Sequence, residues 1–335
     1  METCASCHGT DGRGARDVGF DIPLPDFTDC SFASREPRVD WLSIAHRGGP
    51  ARAFDETMPS FEAARSDEEL ESIVAHLKSF CEQKRWPQGE LNLPRAQVTS
   101  KAYPEDEVVL AGVTALEGPT DVSAKFIYGK RFGARYQFEA SLPVGFREVG
   151  SDEAGLGNWA EGVGDIGMGL KRVVFHSSRS GTIFTLATEV FMPTGDTTDG
   201  YGRGTWMVEP FLSAGQVIGG SGFVQLQGGF ELPMETDQAE REAIWRFALG
   251  RTYRPKPWGR TWSPMIEFAG ARALEADART SWDAIPQMCT SLSRRQHVQA
   301  NLGVRLPMTD LDERPTELML FVLWDWFDGS LFGGW

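Results

Sequence analysis

No stretch of this 335-residue chain is long and apolar enough to cross a membrane as a helix. Mean hydropathy is −0.30, and no apolar run reaches the roughly 18 residues such a span needs. Positive charge is also short. Lys and Arg total 33 against 47 Asp and Glu, giving a net charge of −14 and a pI near 4.9. That balance excludes nucleic acid, whose phosphates call for clustered Lys and Arg, and suits basic soluble partners. The first residues carry neither a basic segment nor an apolar one, so no export signal is legible. Nothing matches a Ser-His-Asp set, a P-loop or a dinucleotide fingerprint, and His176 and His297 stand isolated, which argues against a bond-making enzyme. A membrane β-barrel is not excluded, because its alternating signal is weak.

What is present divides into two halves with different periods. Residues 1–83 read as helix and loop. In "SDEELESIVAHLKSFC", Ser66 is an N-cap and Glu69 stands three residues on, a capping box. Leu70, Ile73, Val74, Leu77 and Phe80 then share one helical face. A second short helix is expected in "PRVDWLSIAHRG", stopped by Gly48-Gly49-Pro50. Residues 84–107, "KRWPQGELNLPRAQVTSKAYPEDE", are rich in Pro and polar residues and have no period. They read as a linker or as a strap lying on another surface.

From 108 to 335 the period is two. Tyr136, Phe138, Ala140 and Leu142 alternate with Gln137, Glu139 and Ser141. Ile166, Met168 and Leu170 alternate with Asp165, Gly167, Gly169 and Lys171. Val224, Leu226, Phe230 and Leu232 oppose Gln225, Gln227 and Glu231, and Val298 to Leu306 repeat the pattern against Gln299, Asn301, Gly303 and Arg305. Gly, Pro, Asp and Ser clusters separate these runs, so neighbours are expected to pair as antiparallel hairpins. A soluble sandwich alternates in the same way. Strand windows of about 10 residues, a charged and glycine-bearing polar face, and aromatics near strand ends favour a membrane barrel of about 10–12 strands. The aromatics are Trp159, Trp206, Trp258, Trp262, Trp282, Trp324, Trp326 and Trp335, with ordinary core packing as the other reading. On this register Lys171, Glu189, Glu231 and Arg305 face the lumen. The last strand is expected in "ELMLFVLWDWF".

The N-terminal half opens with Cys4-Ala-Ser-Cys7-His8, the spacing of a c-type haem attachment site. A glycine-rich turn, "GTDGRG", follows, and Met58-Pro59 stands some fifty residues on, before the capped helix. Such a site needs two thiols, a proximal imidazole and a sixth ligand, and a Met thioether there raises the potential. Cys30 and Cys81 are left either to form a disulfide or to remain two buried thiols, and Cys289 is unassigned.

Residues 4–81 resemble a class I cytochrome c: "CASCHG", then "MP" in a loop, then a C-terminal helix. The resemblance implies one covalent haem c, with Cys4 and Cys7 as its links, His8 as proximal ligand and Met58 as distal ligand. His46 and His76 are the runners-up for the distal place, although both read more simply as polar surface. Cytochromes of this class carry a helix before the motif, and only three residues precede Cys4. Either the natural start is longer or something else covers that face, in which case the stripe at Leu70, Ile73, Leu77 and Phe80 is partly exposed. Export of a CxxCH protein without a legible signal likewise suggests a mature or truncated start.

"GVGDIGMGLKRVVF", "GTIFTLATEVFMPTGD" and "GTWMVEPFLSAG" resemble the outer-membrane barrels of the phenol meta-pathway, or transporter-like, family. The two halves together resemble a cytochrome–porin fusion. The implied fold class is α + β: an all-α cytochrome c domain (1–83), a linker (84–107) and an antiparallel outer-membrane barrel (108–335). The implied function is electron transfer through the haem, with a redox partner in the periplasm or an extracellular donor or acceptor, at the outer membrane of a Gram-negative bacterium. Two alternatives stand beside it: a porin or transporter with an accessory cytochrome domain, and a soluble periplasmic electron-transfer protein.

Overall fold

A computed structural model describes the chain except residues 1, 16–18, 20, 82–83, 119, 152–156, 199, 255–258 and 327–335. The expectations for Trp258 and Trp335 therefore lie outside the described residues.

The helical half holds α1 (Glu2–His8), α2 (Cys30–Ala33), α3 (Arg38–Arg47) and α4 (Asp67–Ser79). The capping box of α4 forms as the sequence demands. Glu69 N–H donates to Ser66 Oγ at 3.3 Å, and Ser66 N–H donates to Glu69 Oε2 at 3.0 Å. α3 stops at Gly48, whose φ of 79° a residue with a side chain would adopt only at a cost. Phe27, Ala33, Trp41 and Val74 make the core of this unit, with Phe32, Leu42, Leu77 and Phe80 packed against it. Cys30 and Cys81 form a disulfide that ties α2 to the end of α4, which settles the open alternative. Leu70 and Val74 are 1 % exposed, whereas Ile73, Leu77 and Phe80 stay half-buried, so the stripe is only partly covered. One cover is the chain at Gly12, where an added Cβ would sit 2.7 Å from the Phe80 ring.

Thirteen strands follow: β1 (Glu107–Ala115), β2 (Asp121–Phe132), β3 (Tyr136–Ser151), β4 (Gly157–Val163), β5 (Ile166–Ser177), β6 (Thr182–Met192), β7 (Met207–Ile218), β8 (Gly222–Pro233), β9 (Glu242–Arg251), β10 (Trp262–Ala273), β11 (Ser281–Ser291), β12 (Val298–Pro307) and β13 (Glu317–Asp325). Every pairing is antiparallel. β13 pairs with β1, and β1 with β2, so the sheet closes. Twelve strands make the barrel. β4 pairs with the distal part of β3 alone and runs on, past Gly164 and Asp165, into β5. It extends one hairpin beyond the ring.

The register matches the alternation in the sequence. Leu110, Phe126, Phe138, Met168, Leu170, Leu186, Leu226, Leu249, Leu302 and Leu320 all point outward and are exposed. Lys171, Glu189, Glu231 and Arg305 point inward, as expected. With a continuous apolar outer belt, closed hydrogen bonding and no free edge in the ring, the barrel is of outer-membrane type. Aromatics gather at both ends of the belt. Phe132 stacks on Tyr136 and Tyr128 on Trp326 at one end, while Trp245 meets Trp282 at 5.7 Å toward the other. Trp159, Trp206 and Trp262 are 43–49 % exposed, which fits an interfacial girdle better than a core.

Connections also differ between the two ends. At the end where the chain enters β1, β2–β3, β5–β6 and β7–β8 are joined by tight turns at 133–135, 178–181 and 219–221. The opposite end carries the longer loops 193–206, 234–241 and 308–316. The first end also carries the longer connections 252–261 and 292–297, and the helical half sits at this end, where Arg295 and His297 of the second connection reach Ala53 and Glu36.

Residues 84–107 correct the sequence reading. After a turn of 3-10 helix at Gly89–Leu91 the segment enters the barrel, and β1 begins at Glu107 rather than 108. Ala96, Thr99, Ala102, Tyr103 and Asp106 are at most 3 % exposed. The strap does lie on another surface, and that surface is the inside of the barrel.

Candidate functional site

Two features of the chain carry chemistry: the strap-filled lumen and the helix bearing the CxxCH sequence.

Between residues 93 and 105 the strap makes no backbone–backbone hydrogen bond among the described residues, so its polar groups must be satisfied by something else. Ten of them are bonded by inward-facing side chains. Gln225 donates to Pro94 O, Asn301 to Arg95 O, Arg246 to Val98 O, Lys171 to Lys101 O and Thr185 to Ala102 O. The strap's own N–H groups donate to the wall: Gln97, Val98 and Thr99 to Glu267, Ser100 to Gln227 at 2.7 Å and Glu105 to Gln137 at 2.7 Å. Glu267 is 0 % exposed and also accepts from Thr99 Oγ1 and Gln287 Nε2. It is the anchor over which the strap turns.

Toward the end that bears the helical half the filling is apolar. Leu93 and Ala96 pack on Phe223, Ala248, Met265 and Cys289, while Leu91, Ala102 and Tyr103 pack on Val173 and Ile183. The inner face is therefore not polar throughout, as the sequence suggested. It is polar where it caps the strap's backbone and apolar where it buries the strap's side chains. Further out, Glu139, Glu189 and Lys171 line a small cavity beside Ser100. Arg203, from the 193–206 loop, reaches in to Glu209 at 3.7 Å and Glu231 at 3.5 Å.

On α1, Cys4 and Cys7 are free thiols, half-buried, one helical turn apart on the same face. His8 follows directly. Its Nδ1 is buried without a hydrogen-bond partner, its ring lies 5.2 Å from Phe27, and burial holds its pKa below 6.5, so the imidazole is neutral. Gly9 and Gly12 then turn the chain at φ 74° and 76°, which brings Gly14 N–H back to His8 O at 2.9 Å.

Met58 stands on a turn tied to the end of α3, where Gly49 N–H donates to Met58 O at 2.9 Å. His46 is not surface polar as expected. It is 6 % exposed, with Nε2 3.1 Å from Asp67. His76 is exposed, edge-on to Phe80. His297 is not isolated either: it lies 3.0 Å from Glu36 and 4.0 Å from Asp325. No three His, Cys, Asp or Glu side chains converge as a metal site among the described residues. The thiols of α1 are thus not part of a bare-ion cluster.

No family model matches the chain, and no curated protein does. Among solved structures, a KdgM porin in complex with disordered oligogalacturonate aligns over 65 % of this chain and 98 % of its own, at 8 % identity and a TM-score of 0.42. A NanC porin aligns over the same shares at 5 % identity and a TM-score of 0.44. Salmonella typhi OmpF in complex with Daunomycin covers 65 % and 95 %, at 8 % identity and 0.33. The class is set by the chain's own geometry: a closed twelve-strand antiparallel barrel of outer-membrane type, with no helix long and apolar enough to span among the described residues.

Proposed function

We propose that the chain is an outer-membrane electron-transfer protein. A c-type haem would be held at the periplasmic mouth by thioether links to Cys4 and Cys7 and ligated by His8 and Met58. The observation that carries this reading is α1 itself. Two accessible, unpaired thiols stand one turn apart, with a neutral imidazole next to them whose buried Nδ1 no protein group claims. Bound there, the haem would supply a one-electron Fe(III)/Fe(II) couple.

The chain's own residues prepare for that group. Burial keeps His8 deprotonated and able to donate a lone pair. The disulfide occupies Cys30 and Cys81, so neither competes for Cys4 or Cys7. Gly9 and Gly12 take positive φ and fold the chain back, so that Gly14 and Ala15 N–H donate to His8 O and Cys7 O and cap the end of α1. A thioether from Met58 would favour reduced iron. The strap closes the lumen, so the barrel serves as an anchor and leaves the periplasmic unit as the reactive part.

A second reading, a porin or transporter with an accessory helical unit, is favoured by the charged inner wall beyond the strap, where Glu189, Glu209, Glu231 and Arg203 gather. The test joins haem staining of the outer-membrane fraction, from cells able to mature c-type haem, with solute flux in vesicles. Covalent haem lost in Cys4→Ala/Cys7→Ala, with flux near background in both proteins, supports electron transfer. Flux without covalent haem supports the porin reading and removes the first.

A further inference from the structure

The strap is held not only by the barrel wall. Both of its ends are pinned by one corner of the helical unit, the turn from α2 into α3. Gly89, at the entering end, lies so close to this corner that an added Cβ would sit 2.1 Å from Arg35 O. Glu90 accepts from Arg38 N–H at 2.9 Å, and Lys78 of α4 bonds to Glu36 O and reaches Glu90 at 3.4 Å. At the leaving end, the Tyr103 hydroxyl lies 3.3 Å from Ser34 O of the same corner; it is also 3.2 Å from Pro87 O, at the strap's own entering end, and accepts from Arg131 Nη1 at 3.3 Å. Arg35 pairs with Asp106, which Lys130 and the backbone N–H of Arg131 also engage. Ser34, Arg35, Glu36 and Arg38 thus grip the strap where it goes in and where it comes out.

The same unit is seated on the rim by separate contacts. Arg295, in the β11–β12 turn, donates to Ala53 O at 3.2 Å and lies over the Phe54 ring at 4.4 Å. His297 pairs with Glu36 at 3.0 Å. The unit therefore touches both the plug and the frame that the plug closes.

We propose that the α2–α3 corner is a latch for the strap. With the helical unit seated, both strap ends are fixed and the lumen is shut. With the unit lifted, the strap loses the anchors at both ends and is held by the wall alone, through Gln137, Lys171, Thr185, Gln225, Gln227, Arg246, Glu267 and Asn301; excursions from that wall then uncover a polar passage past Gln225, Gln227, Gln287 and Asn301. Anything that binds the helical unit and lifts it from the rim therefore opens the barrel. This proposal does not depend on haem, since every contact it uses is made by the polypeptide.

The test uses the full chain in planar bilayers and vesicles, with three proteins: wild type, the latch variant Arg35→Ala/Tyr103→Phe, and the wall variant Glu267→Gln. Heat-modifiable gel migration checks that each barrel is folded. Conductance steps and hydrogen exchange at Val98 and Thr99 are read for all three. The latch variant is expected to show channel openings absent from wild type and exchange at least about tenfold faster in the strap, with α4 still protected. If Glu267→Gln conducts and the latch variant stays silent and protected, the wall alone holds the strap and the latch is refuted. If neither conducts although strap exchange rises in both, the strap is not what closes the lumen and the proposal fails.

Discussion

Replacing Cys30 and Cys81 together by Ala should loosen the helical unit by a predictable amount. The two cysteines are 51 residues apart. In the chain-entropy account, opening a closed loop of that size costs about 4 kcal/mol. The unit is small, and its apolar core centres on Phe27, Ala33, Trp41 and Val74, so the loss is large against its reserve. A change of about 4 kcal/mol is about a thousandfold in the opening equilibrium. The assay is hydrogen exchange on the full chain in vesicles, at the α4 amides of Leu70 and Val74, whose side chains are 1 % exposed. Both should exchange about a thousand times faster, while the β7–β8 amides are unchanged. The double variant is chosen because a single one would leave a thiol free to pair wrongly with Cys4 or Cys7. A change below about tenfold would refute the reasoning, since packing, and not covalent closure, would then hold α2 to α4.

Two further expectations follow from burial and register. Burial lowers the His8 pKa from 6.5, so the unfolded chain binds more protons than the folded one at this site. Stability of the haem-free protein should then be level above about pH 6.5 and fall as the pH drops below it; a melting temperature that rises on acidification would refute this. Leu226 points into lipid and is 50 % exposed. Leu226→Arg should cost about 2–4 kcal/mol in folding into vesicles, and a variant as stable as wild type would place this face elsewhere.

The barrel was legible because its period is strict. Alternation at Tyr136–Leu142 and Val298–Leu306 fixed which side faces lipid, and Lys171, Glu189, Glu231 and Arg305 lie where that register puts them. The capped α4 was legible for the same kind of reason: Ser66 and Glu69 satisfy each other locally. The break between β4 and β5 was not visible, because Gly164 and Asp165 sit within an otherwise unbroken alternation. The strap was the larger surprise. Its backbone is satisfied by side chains as many as 206 residues away, such as Asn301 at Arg95 O, and no local period records such contacts. The available signal lay in the wall. Gln137, Gln225, Gln227, Gln287 and Asn301 are amides at inward positions, and an amide both donates and accepts, which is what an unpaired backbone requires. Free water asks for no such precision. The CxxCH sequence is legible in the opposite sense: the motif is plain in the sequence, and the fold adds the seat of Cys4, Cys7 and His8 on α1.

The strap is continuous with β1, and this bears on how the barrel is built. The ring closes only when β13, made last, pairs with β1, whose N-terminal extension is the strap. A folded-back segment beside an open sheet is thereby enclosed without any free end having to thread through a finished pore. The chain order allows the wall amides and the strap to meet before β13 pairs with β1, and that pairing would then enclose them. Once trapped, the strap is never dilute. Leaving the lumen is a local opening, and returning is unimolecular, at the high effective concentration set by its short connection to β1. A closed state of this kind recovers after each excursion without the help of any other molecule.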